Sequence, residues 1–169
     1  MDTETRSVTI RQAEPSDGDA FIQLVIGLAN YESLPPPDAA GQQRLLEDAF
    51  GAHKRFDLLL AEVEGLTVGY AVIFETYSSF LAHPKLYLED LFVNPQFRGC
   101  GAGGALFKAC AQEAIRRGCA RMQWTVLDWN ESAIRFYERL GAEHEKTWHW
   151  YGLGEEQLQQ LSAPFLHQR

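Results

Sequence analysis

The stretch Asn94–Gly104, NPQFRGCGAGG, decides the fold, because it places four glycines within six residues between a β-rich run and a helix pattern. Glycine is costly to order, so this density indicates that something approaches the backbone closely. Unsatisfied amides at a helix start, with the positive end of the helix dipole behind them, attract an anion. Arg98 adds a charged donor there. The loop therefore predicts an anion-binding turn.

Two kinds of glycine motif are compatible with this loop. Gly99, Gly101 and Gly104 satisfy G-x-G-x-x-G, and Asp128 lies far enough downstream to bind a ribose hydroxyl. A nicotinamide dinucleotide-binding oxidoreductase is therefore an alternative. Against it, five residues separate Val93 from the first glycine, and little chain follows for a second nucleotide-binding half. The loop lacks the G-K-[ST] ending of a P-loop, which excludes a kinase or ATPase.

Around the loop, hydrophobic spacing alternates between strand and helix patterns in the order βααββ, βαβα, β. The predicted strands span residues 7–13, 57–63, 68–76, 85–93, 121–127 and 147–153. Four helices are predicted. The first two end near residues 30 and 50, and the other two span 101–117 and 132–140. This order favours an α/β (α+β) fold with a mixed, largely antiparallel central sheet flanked by helices. The 169 residues predict a single domain over 1–169.

Composition narrows the class of protein. The chain is 46% hydrophobic and 22% charged, which excludes a disordered, collagen-like or coiled-coil chain. Its net charge of −8 argues against a nucleic-acid partner and favours a cationic one. We expect a cytoplasmic protein without a membrane span, because the amino terminus is polar and the three cysteines form no C-x-x-C pair. The histidine spacing gives no support for a metal site.

Two motifs together resemble the GNAT superfamily of N-acetyltransferases. Arg98, Gly101 and Gly103 fit its R-x-x-G-x-G/A signature, and residues 130–142, NESAIRFYERLGA, are similar to its N-x-x-A-x-x-F-Y-x-x-x-G segment. Within the superfamily, the chain resembles the diamine acetyltransferase group, which includes the spermidine/spermine and thialysine enzymes. The residues that carry this resemblance are ANYE at 29–32, LLEDAFG at 45–51, LYLEDLFV at 86–93 and WNE at 129–131. SLPPP at 33–37 departs from the acidic segment of that group.

The resemblance implies a GNAT-like fold and acetyl-CoA as the cofactor. It assigns the acetyl and pantetheine arm to the backbone of Leu91, Phe92 and Val93. The remaining cofactor contacts that it implies are the loop residues Arg98, Gly99, Cys100, Gly101, Ala102, Gly103 and Gly104, and then Asn130, Ser132, Ala133 and Tyr137. Acyl transfer to an amine also needs a proton for the departing thiolate. Tyr137 is the implied general acid, since a tyrosine with a pKa of ~10 is protonated at neutral pH.

A cationic amine substrate calls for carboxylates, which can bind the ammonium group and remove its proton. By resemblance, Tyr31, Glu32, Glu89 and Asp90 line the amine site, and Glu89 is the catalytic base. Glu89 and Asp90 are adjacent on one strand, so regular alternation allows only one of them to face the substrate. A local bulge would bring both nearer to it. A salt bridge or a loop cap is an equally good interpretation of Asp90.

Near the carboxyl end, Trp148 and Trp150 lie on one face of the strand predicted at 147–153, where they stack on a cation or pack on a partner. The resemblance implies a homodimer. The function hypothesis is acetyl-CoA-dependent acetylation of a small primary amine, such as a diamine, a polyamine or a lysine-like amino acid, by direct attack in a ternary complex. The alternatives are the oxidoreductase and a non-catalytic CoA-binding protein.

Overall fold

The computed structural model describes residues 7–162, which fall into two compact units that meet in sequence after Thr125. The first unit contains β1 (Val8–Gln12), α1 (Gly18–Tyr31), α2 (Ala39–Phe50), β2 (Asp57–Val63), β3 (Leu66–Ser78), β4 (His83–Val93), α3 (Ala102–Arg116) and β5 (Met122–Gln123). The second contains α4 (Glu131–Arg139) and α5 (Glu155–Ser162). Short 3₁₀ turns lie at Pro15–Asp17 and Pro95–Phe97.

The first unit is built on one five-stranded sheet in the order β1-β2-β3-β4-β5. Strands β1 to β4 are antiparallel to their neighbours, and β5 pairs parallel to β4. This confirms the predicted mixed, largely antiparallel sheet with helices. The β2–β3 hairpin turns through Glu64 and Gly65 alone, whose φ angles of 53° and 79° suit a tight two-residue turn. Strand β3 therefore begins earlier than the sequence predicted.

Each face of the sheet buries its own hydrophobic cluster. On one face, α3 packs through Leu106 and Cys110 against strand residues that include Leu86 and Leu88. On the other face, α1 and α2 cover a cluster of Phe21, Leu24, Ala49, Leu58, Leu60, Tyr70, Val72 and Phe92. Each large apolar side chain buried in this way contributes about 1.5–3 kcal/mol, so the sheet is held from both sides.

Two predicted strands are corrected by the structure. The strand predicted at 121–127 is reduced to Met122–Gln123. The strand predicted at 147–153 does not form within the described residues, where that segment has no regular structure and Trp148 and Trp150 are exposed. An alternating pattern forms a strand only where a neighbouring strand supplies hydrogen bonds, and 147–153 pairs with none in residues 7–162. The tryptophans therefore share no strand face.

Candidate active site

The site begins at a bulge in β4 where the strand changes face. Val72 of β3 is paired with Asp90, but the next residue, Ile73, is paired with Leu88, so Glu89 is an extra residue on β4. A bulge of this kind shifts the alternation of every side chain after it. Leu88 belongs to the α3 side of the sheet, whereas Phe92 belongs to the α1–α2 side. Without the bulge, Leu88 and Phe92 would share one face.

The bulge brings both adjacent carboxyl groups to one cavity. Glu89 and Asp90 both line a cavity of about 390 Å³ on the α1–α2 side of the sheet. The other lining residues are Phe21, Val25, Leu45, Arg55, Phe56, Val72 and Phe74. The local bulge that would bring Glu89 and Asp90 together is therefore present in β4. Two carboxylates at one cavity attract a cation, because opposite charges interact favourably at short distance.

Asp90 has a partner that the sequence did not identify. The hydroxyl of the fully buried Tyr70 donates a hydrogen bond to Asp90 Oδ2 at 3.2 Å. Burial raises the pKa of Asp90 to about 6; the charges of Glu89 and Glu32 add to the rise, and the bond from Tyr70 opposes it. A buried tyrosine hydroxyl needs a hydrogen-bond partner, so a tyrosine within an apolar strand was a signal in the sequence. Only the register of β3 and β4 shows that Asp90 is this partner.

The end of α1 brings Tyr31 and Glu32 to this neighbourhood. Glu32 is half-buried, and burial raises the pKa of its carboxyl. Its charge in turn raises the pKa of Asp90, which places Glu32 within electrostatic reach of the bulge. The ring of Tyr31 lies under the guanidinium of Arg98, with 4.5 Å between the guanidinium carbon and the ring centroid. The predicted amine-site and cofactor-loop residues thus meet at the Tyr31–Arg98 contact.

The glycine loop presents an open backbone at the start of α3. Gly99 and Gly101 have φ angles of 82° and 92°, a region that other residues rarely adopt. A Cβ atom added at either of them, or at Gly104, would meet no atom within 4 Å, so a ligand can approach the backbone there. No side chain caps α3 at Gly101. Amides of the first turn have no helical acceptor and suit a phosphate, so the loop fits the pyrophosphate of acetyl-CoA.

Two side chains of the loop make contacts within it. Arg98 Nε donates to the carbonyl oxygen of Val93 at 3.3 Å, which ties the loop to the end of β4. The Cys100 thiol donates to the carbonyl oxygen of Phe97 at 2.9 Å. Cys100 thus stabilises the turn through its side chain. Binding of an anion by the backbone of Cys100 and Ala102 stays a prediction.

The end of β4 has one edge that β5 leaves open. Leu91, Phe92 and Val93 pair with β3 on one side. On the other side, β5 pairs with Leu86 and Tyr87, and no strand within residues 7–162 pairs with 91–93 on that side. Main-chain donors and acceptors along 91–93 can therefore form strand-like hydrogen bonds with an extended amide chain, and the pantetheine arm of CoA is such a chain.

The remaining predicted residues lie on α4, in the second unit. Asn130 caps this helix, because its side-chain oxygen accepts from the amide of Ala133 at 3.2 Å and from the hydroxyl of Ser132 at 3.1 Å. Tyr137 lies about two turns further along and is half-buried. Its ring packs edge-to-face on Phe136, with 5.2 Å between centroids. The structure thus brings Asn130, Ser132 and Ala133 together at one helix start.

A mixed, largely antiparallel sheet with a glycine loop between β4 and α3 is consistent with an acetyltransferase fold. A model of the acetyltransferase (GNAT) family matches residues 26–142, which run through both units. The chain belongs to the GNAT family of acetyltransferases. It is an N-acetyltransferase, and the family uses acetyl-CoA as its acetyl donor. The oxidoreductase alternative is therefore not favoured.

Individual relatives agree with this assignment. The chain is similar to the thialysine N-epsilon-acetyltransferase of Sus scrofa, with 32% identity over 93% of this chain and 98% of that protein. It is 34% identical to the spermidine/spermine N(1)-acetyltransferase-like protein 1 of Homo sapiens over 88% of this chain and 23% of that protein. An integron cassette protein from the mobile metagenome of V. cholerae has a similar structure, with a TM-score of 0.79, 26% identity and coverage of 94% and 99% of the two chains.

The described residues contain neither a candidate membrane span nor a candidate metal cluster. Between residues 7 and 162, none of the helices is both long enough and apolar enough to span a membrane. The same part of the chain contains no cluster of three or more His, Cys, Asp or Glu side chains suited to a metal ion.

Proposed function

We propose that this acetyltransferase transfers the acetyl group of acetyl-CoA to the primary amine of a small cationic substrate. The candidates are a diamine, a polyamine or a lysine-like amino acid, which attacks directly while both substrates are bound. The observation that carries the proposal is the carboxylate pair at the bulge, since Glu89 and Asp90 share one cavity. The names of the thialysine and spermidine/spermine relatives support an amine substrate.

The acyl-donor side uses backbone groups of the first unit. Acetyl-CoA supplies a thioester carbonyl that a neutral amine can attack. Main-chain groups of Leu91–Val93 bind the acetyl and pantetheine arm along the open edge of β4, where an amide N–H stabilises the developing negative charge on oxygen. The loop 98–104 binds the pyrophosphate through its free amides. Asn130, Ser132 and Ala133 contact the cofactor arm from the start of α4.

The amine side uses carboxylates with different access to solvent. Asp90, with a pKa near 6, is ionised at neutral pH and binds the ammonium group from inside the cavity, together with Glu32 and the ring of Tyr31. Glu89 is exposed, so it can pass a proton to water. Glu89 therefore acts as the base that removes the ammonium proton, directly or through one water molecule. Removing that proton creates the neutral amine that attacks.

The leaving group requires an acid. A tyrosine hydroxyl is protonated at neutral pH, and Tyr137 donates its phenolic proton to the departing sulfur. The ring of Tyr137 is half-buried on α4 and packs edge-to-face on Phe136. The proposal also includes a cytoplasmic location and a homodimer, the latter supported by the exposed Trp148 and Trp150.

Thiol release from acetyl-CoA tests this function. The acceptors are putrescine, spermidine, spermine, thialysine, lysine and an arylamine, each with an enzyme-free control. We expect release with aliphatic amines and little with the arylamine, because the cavity carboxylates favour a cation. CoA, but not NAD, should raise the melting temperature of the protein. Stabilisation by CoA without release with any of these amines would contradict the small-amine assignment.

A further inference from the structure

The cavity beside the bulge contains one basic side chain, Arg55. Six of the nine residues that line this cavity are apolar, and the other three are Arg55, Glu89 and Asp90. The cavity therefore presents a cation as well as two carboxylates to whatever binds in it. Arg55 belongs to none of the sequence motifs that indicated acetyl transfer, so the resemblance assigns it no role.

The backbone of Arg55 is held in place while its guanidinium is available. Its amide donates to the carbonyl oxygen of Asp48 at 2.8 Å, just after α2 ends. The adjacent Phe56 packs on the buried cluster that contains Phe21. The Arg55 side chain, by contrast, is 78% exposed and forms a loose ion pair with Asp48, with 3.7 Å between Arg55 Nε and Asp48 Oδ1. An exposed ion pair of this kind is weak, so the guanidinium can exchange Asp48 for a ligand carboxylate at little cost.

We propose that Arg55 makes the cavity selective for amines that also carry a carboxylate, that is, for basic amino acids over diamines and polyamines of equal length. This inference rests on the proposed function and specifies its substrate class. A guanidinium binds a carboxylate through two parallel hydrogen bonds. The reacting ammonium group lies at Glu89 and Asp90, and the carboxylate at the other end of the substrate pairs with Arg55.

Like-charge repulsion contributes to the same selectivity. A diamine bound with one end at Glu89 and Asp90 presents its second ammonium group to a cavity that contains a guanidinium. That contact is unfavourable, and the amino acid of equal length avoids it. Selectivity thus combines attraction for one substrate with repulsion of the other, as is common at specific sites.

Pairs of acceptors that differ only in the carboxylate provide the test. Lysine is compared with cadaverine and ornithine with putrescine, by kcat and KM for thiol release, in the unchanged protein, Arg55→Gln and Arg55→Glu. Arg44→Gln is the matched control. Arg44 lies on α2 and is exposed, as Arg55 is, but it does not line the cavity. We expect the unchanged protein to prefer each amino acid over its diamine.

Arg55→Gln should raise KM for the amino acids by about twofold to fivefold, the range for a solvent-accessible ion pair. It should leave kcat and the KM for acetyl-CoA nearly unchanged and lower the KM for the diamines, because the repulsion of their second ammonium group is removed. Arg44→Gln should change none of these values. Arg55→Glu should move the preference towards the diamines.

A preference of the unchanged protein for diamines, or an equal effect of Arg55→Gln on both members of a pair, would overturn the inference while leaving the proposed function intact. If Arg55→Gln changed only the KM for acetyl-CoA, the inference would also be overturned and the proposed function would stand. Turnover of no amine at all would overturn the proposed function and, with it, this inference.

Discussion

Glu89 is the extra residue of the β4 bulge, and its insertion determines the face on which Asp90 lies. With regular alternation, Asp90 would share a face with Leu86 and Leu88, in the cluster under α3. The carboxyl group would then be buried without a charged partner. The bulge places it beside the hydroxyl of Tyr70 and next to the cavity instead. One inserted residue thus converts a core position into a site position.

The carboxylate of Asp90 should lower the stability of the protein at neutral pH. Its folded-state pKa of about 6 lies above the usual value of ~3.9, so the stability of the fold decreases as the pH rises from about 4 to about 6, and the loss is complete above that range. Asp90→Asn removes this cost and keeps an acceptor for Tyr70. We expect Asp90→Asn to be more stable by about 2 kcal/mol at pH 8, with the gain disappearing as the pH falls through 6 towards 4.

Denaturant unfolding at pH 8 and pH 4 measures this difference. Asp128→Asn is the control, because Asp128 is exposed and should show no pH-dependent gain. Equal stability of Asp90→Asn and the unchanged protein at both pH values would contradict the burial of the charge. The expected gain would also indicate that the carboxylate is kept for binding or catalysis, since stability alone favours the amide.

Tyr137→Phe should lower turnover while leaving CoA binding intact. The change removes one oxygen atom and keeps the ring that packs on Phe136. Loss of a general acid typically costs 10²–10⁴-fold in rate. Thiol release gives the rate, and the shift of melting temperature with CoA gives binding; Tyr151→Phe, at an exposed position on the same unit, is the control. Unchanged turnover at neutral and alkaline pH would remove Tyr137 from the role of acid.

At the residue scale, the sequence could identify the types of group but not their partners. Glu89 and Asp90 were predicted site residues, and their shared cavity depended on a bulge that no glycine or proline in 86–93 marks. Tyr70 and Arg55 were not predicted at all. Both depend on which strands and loops meet across the sheet, because Tyr70 is 20 residues from Asp90 along the chain.

Among the elements, β3 passes close to β4 at Gly69, which is paired with Val93. A Cβ atom at Gly69 would lie 2.6 Å from the carbonyl oxygen of Phe92 and 3.0 Å from Val93 Cγ2. Backbone must move to admit it. Gly69→Ala should therefore lower the free energy of unfolding by roughly 1–3 kcal/mol, the usual cost of overpacking.

The same substitution should weaken CoA binding, since it displaces the segment 91–93 proposed to hold the acetyl arm. Thermal unfolding with and without CoA measures both effects. Gly152→Ala is the control, because a Cβ atom there would meet nothing within 4 Å. Full stability and full CoA binding in Gly69→Ala would show that the strands tolerate the methyl group.

Elements with strong local patterns were predicted well, and those that depend on a neighbour were not. Strands β1 to β4 and helix α3 formed close to the predicted bounds, because alternation or helical spacing continues through each. The segment 147–153 alternates too, but no strand of the described chain lies beside it. Helix α5 was missed, although acidic residues in its first turn and the spacing of Leu158 and Leu161 were available signals.

For the whole molecule, the exposed tryptophans predict association. Trp148 and Trp150 are 72% and 74% exposed, and Tyr151 beside them is 92% exposed. Large adjacent aromatic side chains of this kind typically mark an interaction surface. We expect the mass of a homodimer by light scattering at micromolar concentration, and a smaller mass for the double variant Trp148→Ser, Trp150→Ser. A monomer mass for the unchanged protein would contradict the dimer.

We propose that the carboxylates at the β4 bulge serve acetyl transfer to an amine, and Glu89→Gln tests this claim most directly. The measurement is kcat/KM for the best amine acceptor in the unchanged protein, in Glu89→Gln and in Glu143→Gln, an exposed control in the second unit. We predict a loss of about 10²–10⁴-fold for Glu89→Gln, full activity for the control, and stabilisation by CoA in all three. An unchanged kcat/KM in Glu89→Gln would contradict the claim.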